Sequence, residues 1–307
     1  MSDQICILFG ALRSGTTLLR LMIDGHPAIS CPGEADFIFD FVEKRDGVWR
    51  YDWARLEEHR IYKASVVTRP EGLDGRAATA HMIGQLAGAG AVPVVSMHRG
   101  LDKAAEMFPD ARVLHLLRDP RDVARSSIGM GWAAMPYFGV DHWIGTERDY
   151  DRAVPGFATS PLEIRYEDLI AEPEHHLTEI ARFFGTDWDP AMLSYDQRSS
   201  YSAPDASLVY QWKSKQTKRD VALTEAKLGP MLGAKGYAPS GYPAVVPGTL
   251  DRALLTAQNK IGTWRKAVRR YGFANIAQRR IGRALGLEAM RRGAQARIDA
   301  ITVRDLK

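Results

Sequence analysis

The chain is poor in cysteine: Cys6 and Cys31 are the whole complement of its 307 residues. Two thiols make neither a disulfide framework nor a zinc site. The reading is of two buried free thiols in a reducing compartment. Long hydrophobic runs are missing too, since none approaches the ~18–20 apolar residues that a bilayer-spanning helix needs. The first residues, MSDQICILFGALRSG, lack the basic stretch and apolar core of a secretory leader and enter a strand at once. A cytoplasmic protein is therefore expected. Internal repeats and low-complexity tracts are absent, which excludes solenoids and fibrous arrays. A large net charge is also absent, with 41 Lys and Arg against 37 Asp and Glu for a formal +4.

That balance conceals two unlike parts. Residues 249–307 hold 14 basic and 4 acidic side chains, leaving 27 and 33 for residues 1–248. The Pro- and Gly-rich stretch 239–248 separates them. The expected organisation is a 1–248 domain followed by a basic amphipathic helical extension, with breaks near Gly272 and Gly286. The body alternates short apolar runs with helical patterns, as an α/β fold with a mostly parallel sheet does. Strands are expected at 5–9, 28–31, 92–97, 112–117 and 161–165. Helices are expected at 16–25, 35–45, 51–62, 76–89, 100–107, 120–130, 140–153, 173–184 and 219–233. Asp119-Pro120 reads as an N-cap followed by proline at the first helical position. The polar stretch 196–218 reads as a long loop.

One further absence says more than the rest. Gly10 and Gly15, with four residues between them, lie between an apolar strand and a helix, the spacing of a phosphate-binding Walker loop. The lysine that such a loop carries before its hydroxyl residue is missing, and Thr16-Thr17 follow Gly15 instead. Arg13 is the loop's cation. Such a loop is a poor phosphoryl-transfer site but a good anchor for the phosphate of a nucleotide whose transferred group is something else. Two more clusters lie at expected strand ends, where open α/β sheets bind ligands. Arg118, with Ser126 on the following helix, suits a second phosphate, although Arg118 could instead pair with Asp119 or Asp122. Tyr166, in Tyr166-Glu167-Asp168-Leu169, could meet a base or simply be core.

Together these segments resemble the sulfotransferases that use 3′-phosphoadenosine 5′-phosphosulfate. The tyrosylprotein and bacterial branches are closer than the cytosolic phenol and steroid branch. The resemblance spans roughly residues 5 to 240. It includes His26-Pro27, Gly33-Glu34 and Lys227-Leu228-Gly229-Pro230. It implies a P-loop three-layer fold with a central, mostly parallel sheet. It also implies that Arg13, Ser14, Gly15, Thr16 and Thr17 hold the 5′-phosphosulfate. Arg118 and Ser126 would hold the 3′-phosphate, and Tyr166 would lie on the adenine side. The product nucleotide would be adenosine 3′,5′-bisphosphate, with no metal, because fixed cations can stabilise sulfuryl transfer. For the base that takes the acceptor's proton the resemblance offers Glu34, from the tyrosylprotein branch, and His98, from the cytosolic branch. Glu34 is favoured because its match to the loop is ungapped.

The acceptor, a hydroxyl or amine on a small molecule or lipid, is not legible. Segments 36–75 and 131–160 are aromatic-rich (Phe37, Phe39, Phe41, Trp49, Tyr51, Trp53, Trp132, Tyr137, Phe138, Trp143) and suit an apolar or sugar-bearing acceptor. Two other readings compete. A small-molecule or nucleoside kinase conflicts with Thr16 standing where lysine belongs, and a non-catalytic phosphoadenosine-binding module would need a disabled base. The 249–307 extension packs on the body or on a second copy, or it rests on anionic lipid. No nucleic-acid-reading motif accompanies its charge.

Overall fold

A computed structural model describes residues 4–87, 91–197, 199 and 205–305. Seven strands occur among them. They are β1 (Cys6–Phe9), β2 (Ile29–Ser30), β3 (Val42–Arg45), β4 (Val48–Tyr51), β5 (Val92–Met97), β6 (Arg112–Leu117) and β7 (Leu162–Arg165). Five of these form one parallel sheet in the order β2-β5-β1-β6-β7. All five fall within one or two residues of the strands expected from apolar runs. The central strands are buried on both faces, so they read as continuous hydrophobic stretches rather than alternating ones. One face packs Ile7, Phe9, Val95, Met97 and Val113 into one apolar cluster; the other packs Cys6, Leu8, Val94, Leu114 and Leu116 into a second. Both cysteines are free and buried, and burial pushes each thiol up to about 12.

The helix expected at 35–45 is replaced, and the one expected at 51–62 is broken at His59. A single short turn of helix, Phe37–Asp40, leads into the antiparallel hairpin β3–β4, and two short helices, Trp53–Glu58 and Arg60–Ala64, follow. The hairpin turn is Asp46-Gly47, with φ of 51° and 78°. Two successive positive φ values are those of a type I′ turn, which Asp-Gly favours. The helix expected at 219–233 is broken into Lys218–Leu228 and Met231–Ala234. Gly229 has φ 56°, and Pro230 begins the second piece. The 196–218 stretch is not wholly irregular, since helix Trp212–Lys215 lies within it. Residues 198 and 200–204 of that stretch lie outside the described residues.

Packing divides the chain into two compact units: Met1–Val123 with Asp141–Gln216, and Ala124–Val140 with Thr217–Lys307. This division runs elsewhere than the 248/249 boundary drawn from charge. The first unit holds the whole parallel sheet. The second is helical, and its three long tail helices are Thr249–Tyr271, Phe273–Ala284 and Glu288–Asp305. Helix Thr249–Tyr271 is fastened within its unit. Asn259 Oδ1 accepts from the Ala134 amide (2.8 Å), and Lys266 Nζ donates to the Ile128 carbonyl (2.9 Å). No described helix is long and apolar enough to cross a membrane.

Candidate active site

The Gly10–Thr17 loop leaves the C-terminal end of β1 and feeds helix Thr16–Ile23. Each of its glycines has a reason. A Cβ on Gly10 would come within 2.6 Å of the Leu116 carbonyl oxygen, so the loop lies directly on β6. Gly15 has φ 96°, and a Cβ there would meet the Tyr166 ring at 2.3 Å. Gly15 is also the N-cap and gives the helix no side-chain cap, which leaves the first-turn amides facing the loop. Ser14 is fully buried, and its Oγ has no hydrogen-bond partner. Arg13 is exposed, with φ 74°, a conformation uncommon for a residue with a side chain. An uncapped helix start, an orphaned hydroxyl and an exposed cation together make a cradle suited to an anionic group.

Arg118 extends from the end of β6 toward the same loop. Its guanidinium donates to the Arg13 carbonyl (3.2 Å) and the Leu208 carbonyl (2.9 Å), while Nε has no partner. It also lies 4.2 Å from the centre of the Tyr166 ring. Tyr166 is buried, packed against Gly15 and Arg118, so in this structure it supports the loop rather than offering an open face to a base. The carboxylates that might have captured Arg118 are engaged elsewhere. Asp119 takes a bidentate grip from Arg121 and the Trp212 indole N–H, and Asp122 accepts from the Trp212 and Gln211 amides. Arg121 in turn lies 3.8 Å from the Trp212 ring centre. No local motif announces this clasp, which holds segment 205–216 beside Arg118. Asp119 Oδ1 accepts from the Arg121 amide (2.9 Å), the local bond expected of an N-cap ahead of Pro120. Ser126 lies on helix Pro120–Gly129, in the part belonging to the second unit.

Glu34 and His98, taken from the sequence as rivals, stand side by side. Glu34 bridges Ser96 of β5 in parallel, and the Ala35 amide donates to the Ser96 carbonyl (2.8 Å). This pins the 31–36 loop to the strand end from which His98 projects. Glu34 Oε1 is 3.6 Å from His98 Nε2, an ion-pair rather than a hydrogen-bond distance. His98 Nδ1 is 2.7 Å from the Gly10 carbonyl, an arrangement that requires Nδ1–H as donor. Asp36, a buried residue that sequence reasoning missed, accepts from the His98 amide (2.7 Å). Burial alone would depress the imidazole, but Glu34, Asp36 and the Gly10 carbonyl more than offset it, and the His98 pKa ends up raised. The neighbouring imidazole holds Glu34 below the ordinary carboxylate value against an opposing effect of burial. The pair thus favours an imidazolium beside an ionised carboxylate. Glu34, Asp36 and His98 also bring ligand atoms within 4.8 Å of one another, as do His175, His176 and Glu179 on helix Pro173–Phe184. In the first trio Asp36 is already committed to the His98 amide and lies 3.6 Å from Arg99.

The loop, without a Walker lysine, the strand-end Arg118 and the Glu34–His98 pair are thus all placed within the first unit. The sequence matches the Sulfotransferase family over residues 6–190. The chain belongs to that family. Two curated relatives agree. Protein-tyrosine sulfotransferase 1 of Danio rerio is 26% identical over 274 residues, spanning 78% of this chain and 74% of the relative. Protein-tyrosine sulfotransferase A of Caenorhabditis elegans is 24% identical over 265 residues, spanning 76% and 67%. The fold is that of the sulfotransferase domain of the Synechococcus PCC 7002 olefin synthase. That structure has a TM-score of 0.51 and 20% identity, with 83% of this chain and 94% of that one covered. The corresponding domain of the curacin biosynthetic pathway gives a TM-score of 0.53 at 16% identity, covering 83% and 96%. This sulfotransferase is accordingly an enzyme that transfers a sulfuryl group to an acceptor.

Proposed function

We propose that the donor is 3′-phosphoadenosine 5′-phosphosulfate and that Glu34 is the base. The observation that carries this reading is the placement of Glu34 beside His98, whose Nδ1 bonds the Gly10 carbonyl at the start of the loop. The amides at Thr16 and Thr17, with Arg13, bind the 5′-phosphate and stabilise the charge that grows on it. Arg118 exchanges its carbonyl partners for the 3′-phosphate. Glu34 takes the proton from the acceptor hydroxyl or amine. As the acceptor atom bonds to sulfur, the bond from sulfur to the 5′-phosphate oxygen breaks, and its electron pair leaves on adenosine 3′,5′-bisphosphate. His98 keeps Glu34 ionised and oriented. The test is transfer of labelled sulfuryl from the donor to a pooled set of phenols, alcohols and amines. Glu34→Gln should lower transfer by about 10²–10⁴ while affinity for the product nucleotide stays unchanged. Undiminished transfer would remove Glu34 from the role.

For residues 249–307 we infer contact with an anionic bilayer. Leu250, Ile261 and Phe273, on helices rich in arginine and lysine, and Leu285, at the end of one, are each more than half exposed. Such a surface gains apolar burial together with ~1 kcal/mol per basic residue near the headgroups. Sedimentation of the full chain with phosphatidylserine vesicles, lost on truncation after 248, supports this. Retention in the supernatant makes the tail a packing element.

A further inference from the structure

Glu34 lines not only the catalytic corner but also a slot of about 180 Å³ within the first unit. Its walls are the side chains of Phe37, Ile61, Ala64, Val66 and Leu86. An apolar cavity of about 150 Å³ takes up benzene, so the space here is that of one ring or a short branched chain. The polar groups around it are nearly all engaged. Ser65, also in the lining, donates its hydroxyl to the Tyr62 carbonyl (2.8 Å) and accepts from the Val67 amide (3.2 Å). Arg20 and Arg99, the cations that act on Glu34, are committed to the Cys31 carbonyl and to Asp40. A carboxylate, phosphate or sulfate entering the slot would therefore lose its water and meet a carboxylate rather than a cation. A neutral ring or alkyl body loses nothing and buries apolar surface, leaving Glu34 as the group its hydroxyl can address.

We propose that this slot seats the acceptor. It admits an uncharged monocyclic phenol or short branched alcohol, with Phe37, Ile61 and Gly33 setting the size limit. This rests on the reading of Glu34 as base. The hydroxyl gives its proton to Glu34, its oxygen bonds to sulfur, and the sulfur–phosphate oxygen bond breaks with its electron pair on the nucleotide.

Gly33 offers the means of testing it. A Cβ at this position meets no atom within 4 Å, and the backbone there is not left-handed, so a larger side chain is tolerated at a residue that lines the slot. The experiment uses the full chain with adenosine 3′,5′-bisphosphate and follows saturation transfer to 4-ethylphenol by NMR, together with sulfation kinetics. The wild type should bind 4-ethylphenol and not 2-naphthol. Gly33→Leu should abolish the signal, or raise KM at least tenfold, with nucleotide affinity unchanged. Ile61→Ala should widen the slot and admit 2-naphthol. Binding of 4-ethylphenol that is absent from the wild type, or unaffected by both substitutions, overturns the proposal. So does turnover of an acidic tyrosyl peptide that Gly33→Leu leaves untouched. Failure of the nucleotide to bind counts against the donor reading and not the slot, which the 4-ethylphenol signal decides by itself.

Discussion

Gly15→Ala should be among the most damaging single-methyl changes in the loop. Two separable penalties apply. At φ 96° an alanine backbone is strained, and a left-handed residue with a Cβ costs about 1–2 kcal/mol. The new methyl also lands 2.3 Å from the Tyr166 ring, and forcing an atom into a packed contact costs about 1–3 kcal/mol. Their sum is roughly 2–5 kcal/mol. The ring cannot retreat easily, because it is buried and carries the Arg118 guanidinium 4.2 Å from its centre. A double-mutant cycle separates the two costs. In a Tyr166→Leu background the steric part should vanish and about 1–2 kcal/mol of backbone strain should remain. Urea denaturation of the four proteins, compared at constant slope, reads these values. Gly15→Ala costing under about 0.5 kcal/mol, the size of an ordinary surface change, would refute the packing argument. An identical cost in both backgrounds would refute the assignment of the clash to Tyr166.

Two further outcomes follow from the titratable groups. His98→Asn removes the largest influence holding Glu34 low, so the acid limb of kcat/KM should move to higher pH; an unmoved limb would disconnect His98 from the base. In the core of the first unit, His115 lies between Glu163 (2.9 Å) and Glu147 (3.2 Å), stacked 3.7 Å from the Tyr150 ring. Burial alone would lower its pKa, but the two carboxylates raise it overall. Its contribution to stability is therefore complete below the unfolded value of about 6.5 and is lost as pH rises through the raised folded value. His115→Leu should cost about 3–5 kcal/mol at pH 6, by leaving Glu147 buried without its imidazolium, and should flatten the pH dependence of the urea midpoint. A midpoint as pH-dependent as in the wild type would show that other groups carry it.

How much of this was legible depends on the range of the interaction. The central parallel strands declared themselves because a strand buried on both faces is mostly apolar, as in Val92–Met97 and Arg112–Leu117. The loop was legible because glycine spacing and the missing lysine are local facts. The hairpin β3–β4 was missed although its Asp46-Gly47 turn was in plain view; the aromatic and apolar spacing around it imitated a helix. The Glu34–His98 pair was hidden for a different reason. It depends on a bridge between Glu34 and Ser96, and no periodicity encodes which loop will dock on a strand end. Arg121 on Trp212 and the slot beside Glu34 are likewise products of tertiary packing.

On the proposed reading, the Gly10–Thr17 loop and Arg118 together recognise a nucleotide bearing both 5′- and 3′-phosphates. Titration calorimetry of the full chain with adenosine 3′,5′-bisphosphate, adenosine 5′-phosphate and ATP tests it most directly. The bisphosphate should bind more tightly than either of the others. Arg118→Ala should remove about 1.5–3 kcal/mol of the bisphosphate's affinity, the worth of a charge-assisted contact, and leave adenosine 5′-phosphate nearly unaffected. Equal affinities for the bisphosphate and adenosine 5′-phosphate in the wild type, or a preference for ATP, would contradict the account.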